Sequence, residues 1–75
     1  MKEVSKDSVE QMAVEVVRRE KKADRVDVAS VEERDGTWKV YGTCPIDLEG
    51  HPWTERFEVI IDNKGKVIST YFCLL

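Results

Sequence analysis

The chain has 75 residues, with 12 Lys and Arg against 15 Asp and Glu, for a formal net charge of −3 and a pI near 5.1. That length makes one domain, which buries only about 60–65% of its unfolded surface, so a shallow groove or a sheet edge is favoured over a deep cleft. At 41% hydrophobic and 36% charged the composition is globular, and its acidic balance argues against nucleic acid, whose binders release counterions from a basic face.

No stretch approaches the ~18 apolar residues of a membrane span. The start, Met1-Lys2-Glu3-Val4-Ser5-Lys6-Asp7, lacks the apolar run of a leader, so a cytoplasmic protein with two reduced cysteines is expected. Val9, Met12, Ala13, Val16 and Val17 then recur at i, i+3, i+4, i+7 and i+8, one stripe of a helix over residues 6–22. Ser5 or Ser8 can cap its start. The run Arg18-Arg19-Glu20-Lys21-Lys22 complements the dipole at its end, a structural role rather than a phosphate site.

After Ala23-Asp24 the period becomes two. Val26 and Val28 flank Asp27, and Val31 falls out of phase by one, which predicts a bulge near Ala29-Ser30. Asp35-Gly36 is a hairpin turn. A second strand runs from Thr37 to about Cys44, with Trp38, Val40, Gly42 and Cys44 on one face. The gap at Gly42 is expected to be filled by a helix side chain or a backbone bend. Pro45-Ile46-Asp47-Leu48-Glu49-Gly50-His51-Pro52 breaks the pattern and is expected to be an irregular loop. A third strand follows from Thr54 to Asp62, with Phe57, Val59 and Ile61 facing one way and Ile60 the other. Asn63-Lys64-Gly65 turns the chain into a last strand, where Val67, Ser69, Tyr71 and Cys73 alternate with Ile68, Thr70, Phe72 and Leu74. These elements make an α+β fold, one N-terminal helix packed on a four-stranded antiparallel meander in the order 1-2-3-4.

The hairpin Asp35-Gly36-Thr37-Trp38-Lys39-Val40-Tyr41, with Phe57-Glu58-Val59-Ile60-Ile61-Asp62-Asn63-Lys64-Gly65-Lys66-Val67-Ile68, resembles the small PepSY-like domains. It also looks like the accessory O protein family of gas vesicles. Either resemblance implies a binding or inhibitory module, an adjunct to another protein, with no catalytic residues to carry over. PepSY proteins are commonly exported, whereas the start of this chain shows no leader, and the segment from Pro45 to Pro52 is longer than the family pattern asks for.

Chemistry has few candidates. Cys44 and Cys73, on strands two apart, would lie ~9–10 Å from each other, beyond the ~7 Å reach of a disulfide, and are expected to be buried structural cysteines. Adding His51 gives three zinc-type ligands without a zinc spacing. Cys44, His51 and Asp47 could form a nucleophile, base and orienter, although a His beside Pro is more often solvated. Asp27, Glu32, Glu33, Asp35, Glu55 and Glu58 fall mostly on solvent positions. Asp62-Asn63-Lys64-Gly65 lacks the alternate acidic ligands of a calcium loop. Tyr41, Leu48, His51 and Trp53 could rim the loop, though Trp53 more simply staples it to the sheet end.

One helix covers one side of a sheet, and the last strand is apolar on both faces, closing in Cys73-Leu74-Leu75. Either the sheet curls around the helix and hides one row, or a second copy or another protein covers it. The reading that follows is a non-enzymatic interaction module without a cofactor, metal, nucleic acid or membrane, binding another protein or a second copy. Its surface would be Tyr41, Leu48, His51, Trp53, Ile60, Ile68, Phe72 and Leu74. The competing class is a small thiol- or metal-dependent enzyme or regulator using Cys44, His51 and Cys73.

Overall fold

A computed structural model describes residues 4–75. The leader reading rests partly on residues 1–3, which lie outside the described residues. The elements are α1 (Lys6–Lys21), β1 (Asp27–Arg34), β2 (Thr37–Leu48), β3 (His51–Asp62) and β4 (Val67–Leu74). The four strands form one antiparallel sheet in the order β1-β2-β3-β4.

Local chemistry sets the boundaries. The Ser5 hydroxyl accepts the Ser8 N–H at 3.1 Å and caps α1. Lys22 ends the helix in the left-handed region at φ 53°. Asp35 and Gly36 have φ of 53° and 76°, the type I′ pair whose twist matches flanking strands. Ala29 is the extra residue at the register shift between Val28 and Ser30, where the bulge is expected.

Val9, Ala13 and Val17 of α1 bury against Val40, Cys44, Phe57, Val59 and Ile61. The helix packs over β1, β2 and β3. Its first turns meet the β3–β4 turn, where a Cβ on Gly65 would lie 3.0 Å from Val4 and 3.2 Å from Met12. Its last turn reaches Glu55 through Lys21.

Three expectations need correction. The segment from Pro45 to Pro52 is not a loop. β2 runs to Leu48, β3 starts at His51, and only Glu49-Gly50 turns between them, at φ 53° and 84°. The space over Gly42 is filled by Phe57 of the neighbouring strand, whose Cζ would lie 2.6 Å from an added Cβ. Finally, a second bulge between Ile60 and Ile61 pairs Ile61 with Val67. Val67 therefore joins the core side, opposite to simple alternation with Tyr71.

Candidate functional site

Two lengths define what the helix leaves bare. The 16 residues of α1 span about 24 Å, whereas the 12 residues of β2 span about 40 Å. β1 pairs with β2 only as far as Asp27↔Thr43. β4 pairs with β3 as far as Glu55↔Leu74, and Leu75 N–H then donates to the Thr54 carbonyl at 3.0 Å. From Pro45 to Trp53 the β2–β3 hairpin therefore stands alone as a two-stranded arm.

The arm has two unlike faces. Cys44, Ile46 and Leu48 share a face with Glu55, Trp53 and His51 through the pairs Cys44↔Glu55, Ile46↔Trp53 and Leu48↔His51. This continues the helix-side face past the end of α1. Trp53 is 47% exposed there, Leu48 is exposed, and Leu74 on β4 is 49% exposed. The other face carries Pro45, Asp47, Pro52 and Thr54.

The edges differ as well. Leu48↔His51 flanks a two-residue turn, so it is a hydrogen-bonded pair, and Asp47↔Pro52 and Pro45↔Thr54 fall at the non-bonded positions. Both proline nitrogens thus point away from the hairpin, where their missing N–H breaks no ladder bond and blocks lateral pairing. By the same parity, Leu75 bonding to Thr54 turns the N–H and C=O of Thr70, Phe72 and Leu74 outward from β3. Among the described residues no strand pairs with that outer edge. β4 reads VISTYFCL without one charge. The opposite edge strand, β1, reads DVASVEER and is bulged, two devices that deter pairing.

At the arm's root, Lys21 Nζ lies 2.9 Å from Glu55 Oε1, donates to Oε2 at 3.2 Å, and stands 4.3 Å from the Phe72 ring centroid. Glu55 is only 8% exposed. Its assignment to solvent is overturned, although its alternation with Phe57, Val59 and Ile61 already put it in the core row. Burial first, and then the Glu55 charge, push the Cys44 thiol above its ordinary value, with Lys21 opposing.

The surface proposed from sequence divides in three. Leu48, His51, Trp53, Phe72 and Leu74 share the helix-side face. Tyr41 and Ile60 lie on the open face, so Tyr41 does not join Leu48, His51 and Trp53 in a rim. Ile68 is the extra residue of the β4 bulge and is exposed. Trp53 does not staple a loop; its ring is left on the arm.

The cysteines are also separated. Both are free, Cys44 buried and Cys73 exposed, which corrects the expectation of two buried thiols. Cys44 faces the helix, while Cys73 pairs with Arg56 on the open face. His51 lies four residues beyond Glu55, the partner of Cys44, or about 13 Å along the ribbon, and Asp47 is on its opposite face. Cys44, His51, Asp47 and Cys73 therefore form no single centre. Among the described residues no three His, Cys, Asp or Glu side chains group as metal ligands, and no helix is long and apolar enough to cross a membrane.

In the β3–β4 turn, the Asp62 carboxylate accepts the Lys64 N–H at 2.9 Å and the Lys66 N–H at 2.8 Å. The Lys66 bond is the main cause holding it below the usual carboxylate range. This explains the calcium-like look of Asp62–Gly65 as turn chemistry. No family model, curated protein or solved structure matches the chain.

Proposed function

We propose that the chain is a non-enzymatic, cytoplasmic interaction module that adds a strand to the outer edge of β4, with a second copy of itself as partner. The observation that carries this is the contrast in charge between the edges: β1 carries Asp27, Glu32, Glu33 and Arg34, whereas β4 is uncharged and, beyond its bulge at Ile68, turns the N–H and C=O of Thr70, Phe72 and Leu74 outward. Two β4 strands running antiparallel about a twofold axis would satisfy those groups mutually. Exposed Leu74 and Trp53 extend the contact onto the helix-side face. The resemblance to PepSY-like domains agrees with an adjunct binding role.

Sedimentation velocity from low to high micromolar concentration tests the reading. The 8.7 kDa chain is expected to shift toward twice its mass. Thr70→Pro removes an outward N–H that β3 does not use, so the variant should keep its circular dichroism and sediment as a monomer. A wild-type chain that stays monomeric throughout would overturn self-association, as would a Thr70→Pro variant that still dimerises.

A further inference from the structure

The open face carries a row that self-association does not use. Ser30↔Tyr41, Tyr41↔Glu58 and Glu58↔Tyr71 are successive cross-strand pairs, so Tyr41, Glu58 and Tyr71 stand side by side on β2, β3 and β4. All three line one groove of about 210 Å³, together with Arg56 and Cys73. Tyr71 is 58% exposed. The two tyrosines lie two strand spacings apart, about 9.5 Å. A cation between them can sit within about 6 Å of both ring centres, the range in which an aromatic face attracts it.

Charge fits that geometry. The ion pairs among the described residues are Lys21–Glu55 and Arg25–Asp27, so Glu58 and Arg56 are unpaired with each other although they share a face. Residues two apart on a strand are about 6.7 Å apart. The Tyr41 phenol is held above its ordinary value by burial first and then by the Glu58 and Glu32 carboxylates, with Arg34 opposing; of these carboxylates, Glu58 stands between the two tyrosines, at one end of the groove. Arg56 makes the other end positive.

We propose that this groove binds a small zwitterion with an alkylated ammonium head, the head between Tyr41 and Tyr71 over Glu58 and the anionic end toward Arg56. Glu58 and the ring faces attract the cation. Arg56 accepts the anion and disfavours ligands that are cationic at both ends. The assignment does not depend on self-association, because the groove lies on a face that pairing through β4 leaves open.

Three probes dissect it, each titrated into the ¹⁵N-labelled chain and followed by chemical shifts: glycine betaine, choline, and 3,3-dimethylbutyrate, which keeps the anion but has a neutral head. Betaine should bind with a Kd of about 1–10 mM, with choline weaker and dimethylbutyrate weakest, and the shifts should centre on Tyr41, Glu58 and Tyr71. Glu58→Gln and Tyr71→Leu should each weaken betaine about 3-fold or more. Arg56→Gln should bring betaine down to the level of choline. Dimethylbutyrate binding as well as betaine, or no saturable shift at the three residues, would overturn the site. Choline binding as tightly as betaine to the unmodified chain would overturn the zwitterion assignment.

Discussion

Gly42 shows how one residue can fix the fit of two strands. A Cβ there would lie 2.1 Å from the Asp27 carbonyl and 2.6 Å from the Phe57 ring. The carbonyl is backbone and can retreat only by moving β1. Gly42→Ala should therefore destabilise the chain by about 2–3 kcal/mol, read as a drop in the urea midpoint. The Lys21–Glu55 pair acts differently. Removing the cation alone leaves a carboxylate in a nearly closed site, so Lys21→Met should cost about 1–3 kcal/mol. The double variant Lys21→Met/Glu55→Leu should recover most of that, since apolar replacement of a buried pair is often neutral. The two thiols should separate by reagent. Cys73 reacts with a disulfide reagent in the native state, whereas buried Cys44, its thiol pushed up, reacts only on unfolding.

Asp62 links the residue to pH. Its native carboxyl titrates below the unfolded value. The stability it contributes is therefore present above the unfolded value and lost as pH falls through the native one. Asp62→Asn should lower stability at neutral pH and leave a smaller difference from the parent near pH 3. Urea melts at both pH values check the sign.

At the scale of elements, the helix, the Ala29 bulge and the Asp35-Gly36 turn were legible because each has a local cause: a 3.6 period, a phase slip, a positive φ. The arm was not. Pro45 and Pro52 read as breakers, and in a central strand they would be. Here each proline nitrogen points outward beyond the last pairs of β1 and β4, so no ladder bond is lost. That fact belongs to the lengths of the neighbouring strands, which sequence does not print beside the prolines. The tip carries a related cost. Glu49 sits at φ 53°, where a side chain other than Asn, Asp or Gly is strained. Glu49→Asn should stabilise the hairpin by about 0.5–1 kcal/mol, measured as a rise in melting temperature. The site was legible only in part. Apolar character on both faces of β4 suggested a surface, but Trp53 read more simply as a staple, and both its exposure and the division of the residues between two faces needed the register.

Over the whole molecule, whose described residues extend 46 × 18 × 17 Å, the helix covers only part of the sheet. The end that neither β1 nor β4 flanks is the arm, and a two-stranded ribbon alone is marginal in water. Hydrogen exchange should therefore be fast from Pro45 to Trp53 and slow around Val40, Phe57 and Val59. If the chain associates through β4, protection should extend along Thr70–Leu74 as concentration rises.

The inequality of the two sheet margins limits how far such association can go. Were one receptive margin to meet its twin, the united sheet would present outside two copies of the acidic, bulged β1 and the two arms, whose edges Pro45 and Pro52 block. No third molecule finds a template there. Association through β4, if it occurs as proposed, would therefore halt at two instead of extending into a fibre.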